Sequence, residues 1–315
     1  MTPRVLVTGG LGFVGKAVAA GALSKGFKVR ISSRQKLMSP ESRLAYCQVG
    51  DLGPTTDWCA ALQGIKTVVH CAGRAHVMKD TAPEPLMTFR TVNVQGVWSL
   101  ARQAVKAGVT RFVFISSVGV NGTQTALGKP FFETDNPHPH NAYSLSKWEA
   151  EQGLQRMAEQ TGLEVVIIRP PLVYGFGAPG NFGSLMQAVQ HGWPLPLGAV
   201  CNNQRSLVAL DNLVDLIVTC IDHPQAANQT FLVSDGHDLS TTELVRGIAR
   251  AAGVSAHLLP VPVWALQAGA TLLGRGDTVQ RLCSNLQVDI AKARTLLDWV
   301  PLVSVDEGLR RAVTR

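Results

Sequence analysis

Charge is scarce in this chain of 315 residues: Asp, Glu, Lys and Arg make up 16%, against 46% hydrophobic residues. Disordered segments and coiled coils need the opposite balance, and no collagen-like period orders the 30 glycines, so all three classes are excluded. Basic residues outnumber acidic ones, 29 to 22, for a net charge of +7. No run of Lys or Arg and no zinc-finger, RNP or basic-zipper pattern accompanies that excess, which argues against nucleic acid as a partner. An anionic small molecule is the partner class left, apart from a membrane surface.

Long apolar runs are also missing. A spanning helix needs about 18–20 uninterrupted apolar residues, whereas the most apolar stretch, 261–274, is shorter and carries Gln267. It reads as a packed helix, with a membrane-surface helix as the weaker alternative. No C-x-x-C pair joins Cys47, Cys59, Cys71, Cys201, Cys220 and Cys283. That pattern suits buried reduced thiols, not a disulfide framework or a metal site. Met1-Thr2-Pro3-Arg4 leads straight into Val5-Leu6-Val7 without a signal-peptide core, so a cytoplasmic location is expected.

The first half alternates short β-branched runs with helical patterns. Strands are expected at Arg4–Thr8, Lys28–Ser32, Ala45–Val49, Thr67–Cys71, Arg111–Ser116 and Glu164–Arg169, and helices up to Lys25 and over Arg90–Ala107 and Ala142–Thr161. The strands are continuously apolar, as when helices cover both faces, which predicts an α/β fold with a doubly wound parallel sheet. After Arg169, frequent Pro and Gly predict irregular structure; Arg205–Ala209, a helix Asp211–Cys220 and Thr230–Val233 then read as a return to the sheet. The text beyond Ser240 is mostly helical. Two domains follow: residues 1–169 plus about 204–235, and a smaller substrate domain of about 170–203 plus 236–315.

In Thr8-Gly9-Gly10-Leu11-Gly12-Phe13-Val14-Gly15, the glycines at 9, 12 and 15 sit where a first strand gives way to a helix. That is the dinucleotide-binding arrangement: a tight turn, backbone approach to a pyrophosphate, and N–H groups of a helix start around it. Phe13 and Val14 open that helix. The second strand ends in Ser32-Ser33-Arg34, without the carboxylate that would accept a ribose 2′-hydroxyl. Arg34, beside Ser33, can pair with a 2′-phosphate, so NADP(H) is favoured and NAD(H) remains open. Asp51 and Leu52 follow the third strand and are placed to cap the adenine.

Tyr143 and Lys147 are four residues apart and share a helical face. Such an ammonium can lower the phenol's pKa from about 10 and hold the nicotinamide ribose. The phenol then serves as a general acid or base for a carbonyl/alcohol pair. Ser116-Ser117 ends a strand upstream and can aim a hydroxyl at the same oxygen.

These segments, with His70-Cys71-Ala72-Gly73, Val92-Asn93-Val94-Gln95-Gly96 and Arg169-Pro170-Pro171-Leu172-Val173-Tyr174-Gly175, resemble the extended short-chain dehydrogenase/reductase family, its epimerase and dehydratase group. The resemblance implies a Rossmann domain with Ser117, Tyr143 and Lys147 as catalytic residues. It implies that Cys71, Ala72, Gly73, Asn93, Pro170 and Val173 line the cofactor. It also implies a homodimer formed through Arg90–Ala107 and Ala142–Thr161. Asn181 and Arg205 resemble pyrophosphate contacts of a UDP-sugar, with Arg275 or Arg281 as a second cation. Val118, beside Ser117, joins the substrate set.

Sugar 4,6-dehydratases of this family follow their hydroxyl residue with Asp-Glu; here Val118-Gly119 stands instead, which discounts dehydration. Reduction of a UDP-4-keto-6-deoxy-N-acetylhexosamine, giving UDP-N-acetyl quinovosamine or fucosamine for surface polysaccharide, is favoured through the NADP argument. The alternative is a UDP-glucose or UDP-N-acetylglucosamine 4-epimerase with tightly bound NAD. A non-catalytic nucleotide-sensing protein is remote, because Tyr143 and Lys147 are both present. His138 and His140 read as loop residues, with no spacing for a metal.

Overall fold

A computed structural model describes residues 4–38, 43–75, 84–272, 274 and 276–314. Its main sheet has seven parallel strands in the order β3-β2-β1-β4-β5-β6-β9. These are β1 (Arg4–Thr8), β2 (Lys28–Ser33), β3 (Leu44–Gln48), β4 (Thr67–His70), β5 (Arg111–Ile115), β6 (Glu164–Arg169) and β9 (Thr230–Leu232). Alternate residues of each central strand enter different cores. Val5, Val7, Val69, Val113, Val166 and Ile168 face one core with Val18 and Leu213. Leu6, Val68, Phe112, Phe114, Val165 and Ile167 face the other, with Leu100 and Leu154. Both faces are therefore covered, which is why the strands read as unbroken apolar runs. Strand order reverses between β1 and β4, and ligand clefts of such sheets open at that point, at the carboxyl ends of the strands.

The remaining strands depart from expectation. β7 (Leu172–Tyr174) and β8 (Leu207–Ala209) pair with each other in a separate two-stranded parallel sheet. The segment expected to return to the main sheet at Arg205–Ala209 thus joins β7, and only Thr230–Leu232 extends the large sheet. Helix Gly180–Gln190 occupies text that reads as loop. A third core holds this region, with Tyr174, Phe182, Leu207, Ile248 and Leu309 at its centre. Below it, Asp235 accepts hydrogen bonds from Tyr174 Oη at 2.7 Å, Asn212 Nδ2 at 2.7 Å and the Ala209 N–H at 2.8 Å.

The expected helix Arg90–Ala107 is longer and irregular: Pro85–Arg90, a π-helical turn Thr91–Gln95, then Gly96–Lys106. Helix Ala142–Thr161 begins with a capping box in which Asn141 and Ser144 satisfy each other's N–H, and ends at Gly162 in left-handed conformation. Two of the six thiols, Cys59 and Cys201, are exposed, against the expectation that the cysteines are buried. Among the described residues, no helix is long and apolar enough to cross a membrane.

Candidate active site

The glycine turn opens the cleft. Gly9 has φ +67°, and a Cβ there would lie 2.7 Å from Ala72 N, so the turn is pressed against the segment after β4. A Cβ on Gly15 would lie 2.2 Å from Gly9 O, which fixes the packing of helix Phe13–Ser24 on the turn. Gly12 differs: a Cβ would meet only Gly9 O, at 3.3 Å, and the residue is exposed. Its outward side is bare backbone at a helix start that no side chain caps and no acidic residue occupies. A side chain would fill that cradle; a pyrophosphate fits it.

At the far end, Ser33 is buried and its Oγ accepts the Gln35 N–H at 3.1 Å. Arg34 and Asp51 form an exposed ion pair at 3.3 Å. Both line a cavity of about 490 Å³ that also touches Gln48 and Gly50. The arginine expected to await a 2′-phosphate therefore already faces a carboxylate. Leu52 packs against Gly96, where a Cβ would lie 3.1 Å from it.

The centre is built on helix Ala142–Thr161. Lys147 is buried; its Nζ donates to the Ile115 carbonyl at 2.8 Å and lies 4.6 Å from the Phe114 ring centroid. Burial lowers the ammonium from 10.5 to about 8, with Cys71 and Glu151 opposing. Tyr143 is half-buried, with Phe89 edge-on at 6.1 Å. The expected lowering of its phenol is reversed: burial pushes it up to about 12. Lys147 Nζ is 5.9 Å from the Tyr143 ring centroid and engaged with Ile115, so desolvation wins.

Asn93 joins the parts. Its place in the π-helical turn carries its amide inward, where Nδ2 donates to Arg74 O at 3.0 Å and Ser146 Oγ at 3.1 Å. Its Oδ1 accepts the Arg74 N–H at 2.8 Å. A Cβ on Gly73 would lie 3.1 Å from that oxygen and 3.7 Å from Lys147 Nζ, which sets Gly73 beside the ammonium. Cys71 is half-buried there, its thiol pushed up to about 12 by burial. Thr8 Oγ1 and His70 Nδ1 are 2.8 Å apart, and Thr8 Oγ1 accepts the Ala72 N–H at 3.3 Å. Burial holds His70 neutral, down to about 3, with the Lys147 charge adding to the effect.

Ser117 starts a 3₁₀ turn, Val118–Val120, and its Oγ accepts the Gly119 N–H at 3.1 Å. A Cβ on Gly119 would lie 3.2 Å from Ser144 Cβ, so Ser117 stands over the first turn of the Tyr143 helix. Val118 is held inward. The residue is 7% exposed and packs in the first core, and its N–H donates to Pro170 O at 2.9 Å. Pro170 is buried and Val173 half-buried.

Arg205 and Arg281 lie within electrostatic reach of each other. Arg205 Nη1 donates to Ser284 O at 3.0 Å, and burial with the nearby Arg281 charge pulls its guanidinium down to about 10. Among the described residues, no carboxylate forms an ion pair with either. Two unneutralised guanidinium groups suit a diphosphate. Arg275 lies outside the described residues. Asn181 is exposed at the start of helix Gly180–Gln190. His138 Nδ1 and His140 Nε2 are 3.0 Å apart on the surface. Among the described residues, no group of three or more His, Cys, Asp or Glu could hold a metal.

Sequence reasoning gave no role to Glu151 or Arg169 and read Ser116 only with Ser117 as a source of a hydroxyl; the three form a buried network under the cleft. The available signals were an acid four residues after Lys147, on the same helical face, and an arginine closing an apolar strand.

The model of the NAD dependent epimerase/dehydratase family matches residues 5–234. A UDP-glucose 4-epimerase from Vibrio cholerae is 47% identical over 311 residues, covering 99% of this chain and 94% of that protein. The fold is shared with UDP-N-acetylglucosamine 4-epimerase from Bacillus cereus, at a TM-score of 0.79 and 20% identity over 99% of this chain and 96% of that one. It is shared also with the Bordetella bronchiseptica enzyme WbmG, solved with NAD and UDP, at a TM-score of 0.75 and 20% identity over 99% and 94% of the two chains.

Proposed function

The chain belongs to the NAD dependent epimerase/dehydratase family, and from that membership we propose that it is a UDP-sugar 4-epimerase. It inverts C4 of a UDP-hexose such as UDP-glucose or UDP-N-acetylglucosamine. The observation that carries this reading is the 47% identity, over 99% of the chain, to a UDP-glucose 4-epimerase. The residues gathered in the cleft have the functional groups it requires.

Bound NAD would supply reversible hydride acceptance at C4. We assign the proton to Tyr143, whose Oη takes it from the 4-hydroxyl and returns it once the other face of the 4-keto sugar is presented. Ser117 Oγ donates to the same oxygen as charge develops there. Lys147 anchors the cofactor ribose. Asn93 and Gly73 hold the turn beside it. Gly9, Gly12, Phe13, Val14 and Gly15 take the pyrophosphate, and Arg205 with Arg281 takes the UDP diphosphate. Residues 1–169 with about 204–235 form the cofactor part, and the rest forms the nucleotide-sugar part. NAD is proposed over NADP because Asp51 neutralises Arg34 and would repel a 2′-phosphate. A cytoplasmic homodimer through Arg90–Ala107 and Ala142–Thr161 completes the reading; a monomer mass in sedimentation would remove that part.

The second reading is reduction of a UDP-4-keto-6-deoxy-N-acetylhexosamine, which would use the same Ser117, Tyr143 and Lys147 with the hydride brought in by NADPH. One experiment separates the two. The purified protein is incubated with UDP-glucose or UDP-N-acetylglucosamine without added cofactor, and C4 epimers are resolved by NMR. Interconversion that Tyr143→Phe reduces by at least about 10²-fold is expected. No interconversion, with NADPH consumed on the 4-keto sugar, overturns the epimerase reading in favour of the reductase.

A further inference from the structure

Beneath the cleft lies an ion pair that neither ligand binding nor proton transfer requires. Glu151 is 0% exposed and follows Lys147 by one helical turn; Arg169 is 3% exposed and ends β6. Arg169 donates from Nη2 to Glu151 Oε2 at 2.6 Å and from Nε to Oε1 at 3.1 Å, a two-pronged contact. Ser116 Oγ donates to the same Oε1. The third arm, Nη1, reaches Asn121 Oδ1 at 3.0 Å, and the Asn121 amide holds Phe132 O at 2.9 Å.

Burying two opposite charges is a poor way to gain stability. Their desolvation offsets their attraction, and apolar residues of similar volume often serve the fold as well or better. What the pair does provide is fixed geometry among four segments. Ser116 stands between Ile115, whose carbonyl takes Lys147 Nζ at 2.8 Å, and Ser117. Arg169 precedes Pro170, whose carbonyl accepts the Val118 N–H at 2.9 Å. Asn121 closes the turn that Ser117 opens. Each anchor is thus one bond network away from a group in the cleft.

We propose that Glu151 and Arg169 are positioning residues: their ion pair, with Ser116, locks the Ser117 strand end, the Tyr143–Lys147 helix and the Pro170 segment in one relative placement. This rests on the assignment of Tyr143 and Lys147 as the acid–base centre. Neither residue touches substrate. The pair sets where Ser117 Oγ and Lys147 Nζ stand, and a displacement of about 1 Å there is enough to cost about 10²-fold in rate.

The test compares the wild-type protein with the double variant Glu151→Leu/Arg169→Met, which removes both charges together, and with Ser116→Ala, which leaves the ion pair whole. The double variant is expected to unfold at a denaturant midpoint close to wild type, with kcat lower by about 10²-fold and KM for the nucleotide sugar within about threefold. Ser116→Ala is expected to lower kcat by roughly tenfold at constant KM, and Ser116→Thr to restore it. A readout independent of turnover is the Lys147 side-chain ammonium signal in ¹H–¹⁵N NMR, assigned with Lys147→Met. It should be present in wild type and shifted or lost in both the double variant and Ser116→Ala. Wild-type kcat and an unmoved Lys147 signal in a folded double variant overturn the proposal. If the double variant does not fold, wild-type kcat and signal in Ser116→Ala do so. If the wild type shows no epimerisation while the Lys147 signal responds as stated, the functional reading fails and the positioning role stands.

Discussion

Lys147 is an ammonium held where an ammonium is costly. Unfolded, it titrates near 10.5; folded, near about 8. Below pH 8 both states are protonated and the folded state carries the full desolvation penalty. Between 8 and 10.5 only the unfolded chain binds the proton, so this residue adds stability as pH rises through that window. Lys147→Met should therefore abolish activity yet raise unfolding free energy at pH 7 by up to ~3 kcal/mol, with the gain fading above pH 10. Urea denaturation at pH 7 and pH 10 measures it; a variant less stable than wild type at pH 7 contradicts the burial argument. Tyr143 and Lys147 were legible because one helical turn brings them together whatever the tertiary fold. The direction of the Tyr143 shift was not legible, since it depends on Phe89, the depth of the cleft and the carbonyl of Ile115. Glu151 and Arg169 escaped for the same reason: each reads as an ordinary charge until both are seen buried.

At the scale of elements, helix Ala142–Thr161 is seated by a single missing side chain. A Cβ on Gly153 would lie 2.0 Å from Trp98 Nε1, on the neighbouring helix Gly96–Lys106. Glycine inside a helix is ordinarily unfavourable by about 1 kcal/mol relative to alanine, so Gly153→Ala would stabilise a free helix. Here it should destabilise the protein by about 1–3 kcal/mol through overpacking. Trp98→Ala should relieve part of that loss in a double-mutant cycle. Denaturant midpoints of the four proteins test it, and additive effects would show that the contact does not matter. Strands β1, β4, β5 and β6 were legible because both faces are buried and their apolar runs are nearly unbroken; β2 and the half-exposed edge strand β3 were legible from their place in the alternation of strand and helix. β7 and helix Gly180–Gln190 were hidden by glycine and proline, whose turn signals dominate local text. β8 was misplaced because three residues, Leu207 to Ala209, suit either sheet equally; its partner is decided by the third core.

For the whole molecule, the reversal of strand order between β1 and β4 puts the glycine turn at one side of the cleft. The loop-built half carries Arg205 and Arg281. The glycine turn was legible because its function is local backbone shape. The nearness of Arg281 to Arg205 was not, since only the folded chain brings helix Gly276–Cys283 within electrostatic reach of Arg205. Most of the +7 charge lies elsewhere and the cleft does not explain it.

Burial and the nearby Arg281 charge both disfavour the Arg205 guanidinium, a repulsion that an anion bound beside it would relieve. Ions that screen it should firm the protein, and an anion that bridges it should do so far more strongly. Melting temperature is accordingly expected to rise with sodium chloride and to rise further with UDP at the same ionic strength, by mass action on the folded state. Arg205→Gln should flatten both responses. Differential scanning fluorimetry reads them directly, and an equal UDP response in the variant would place the diphosphate somewhere other than between these arginines.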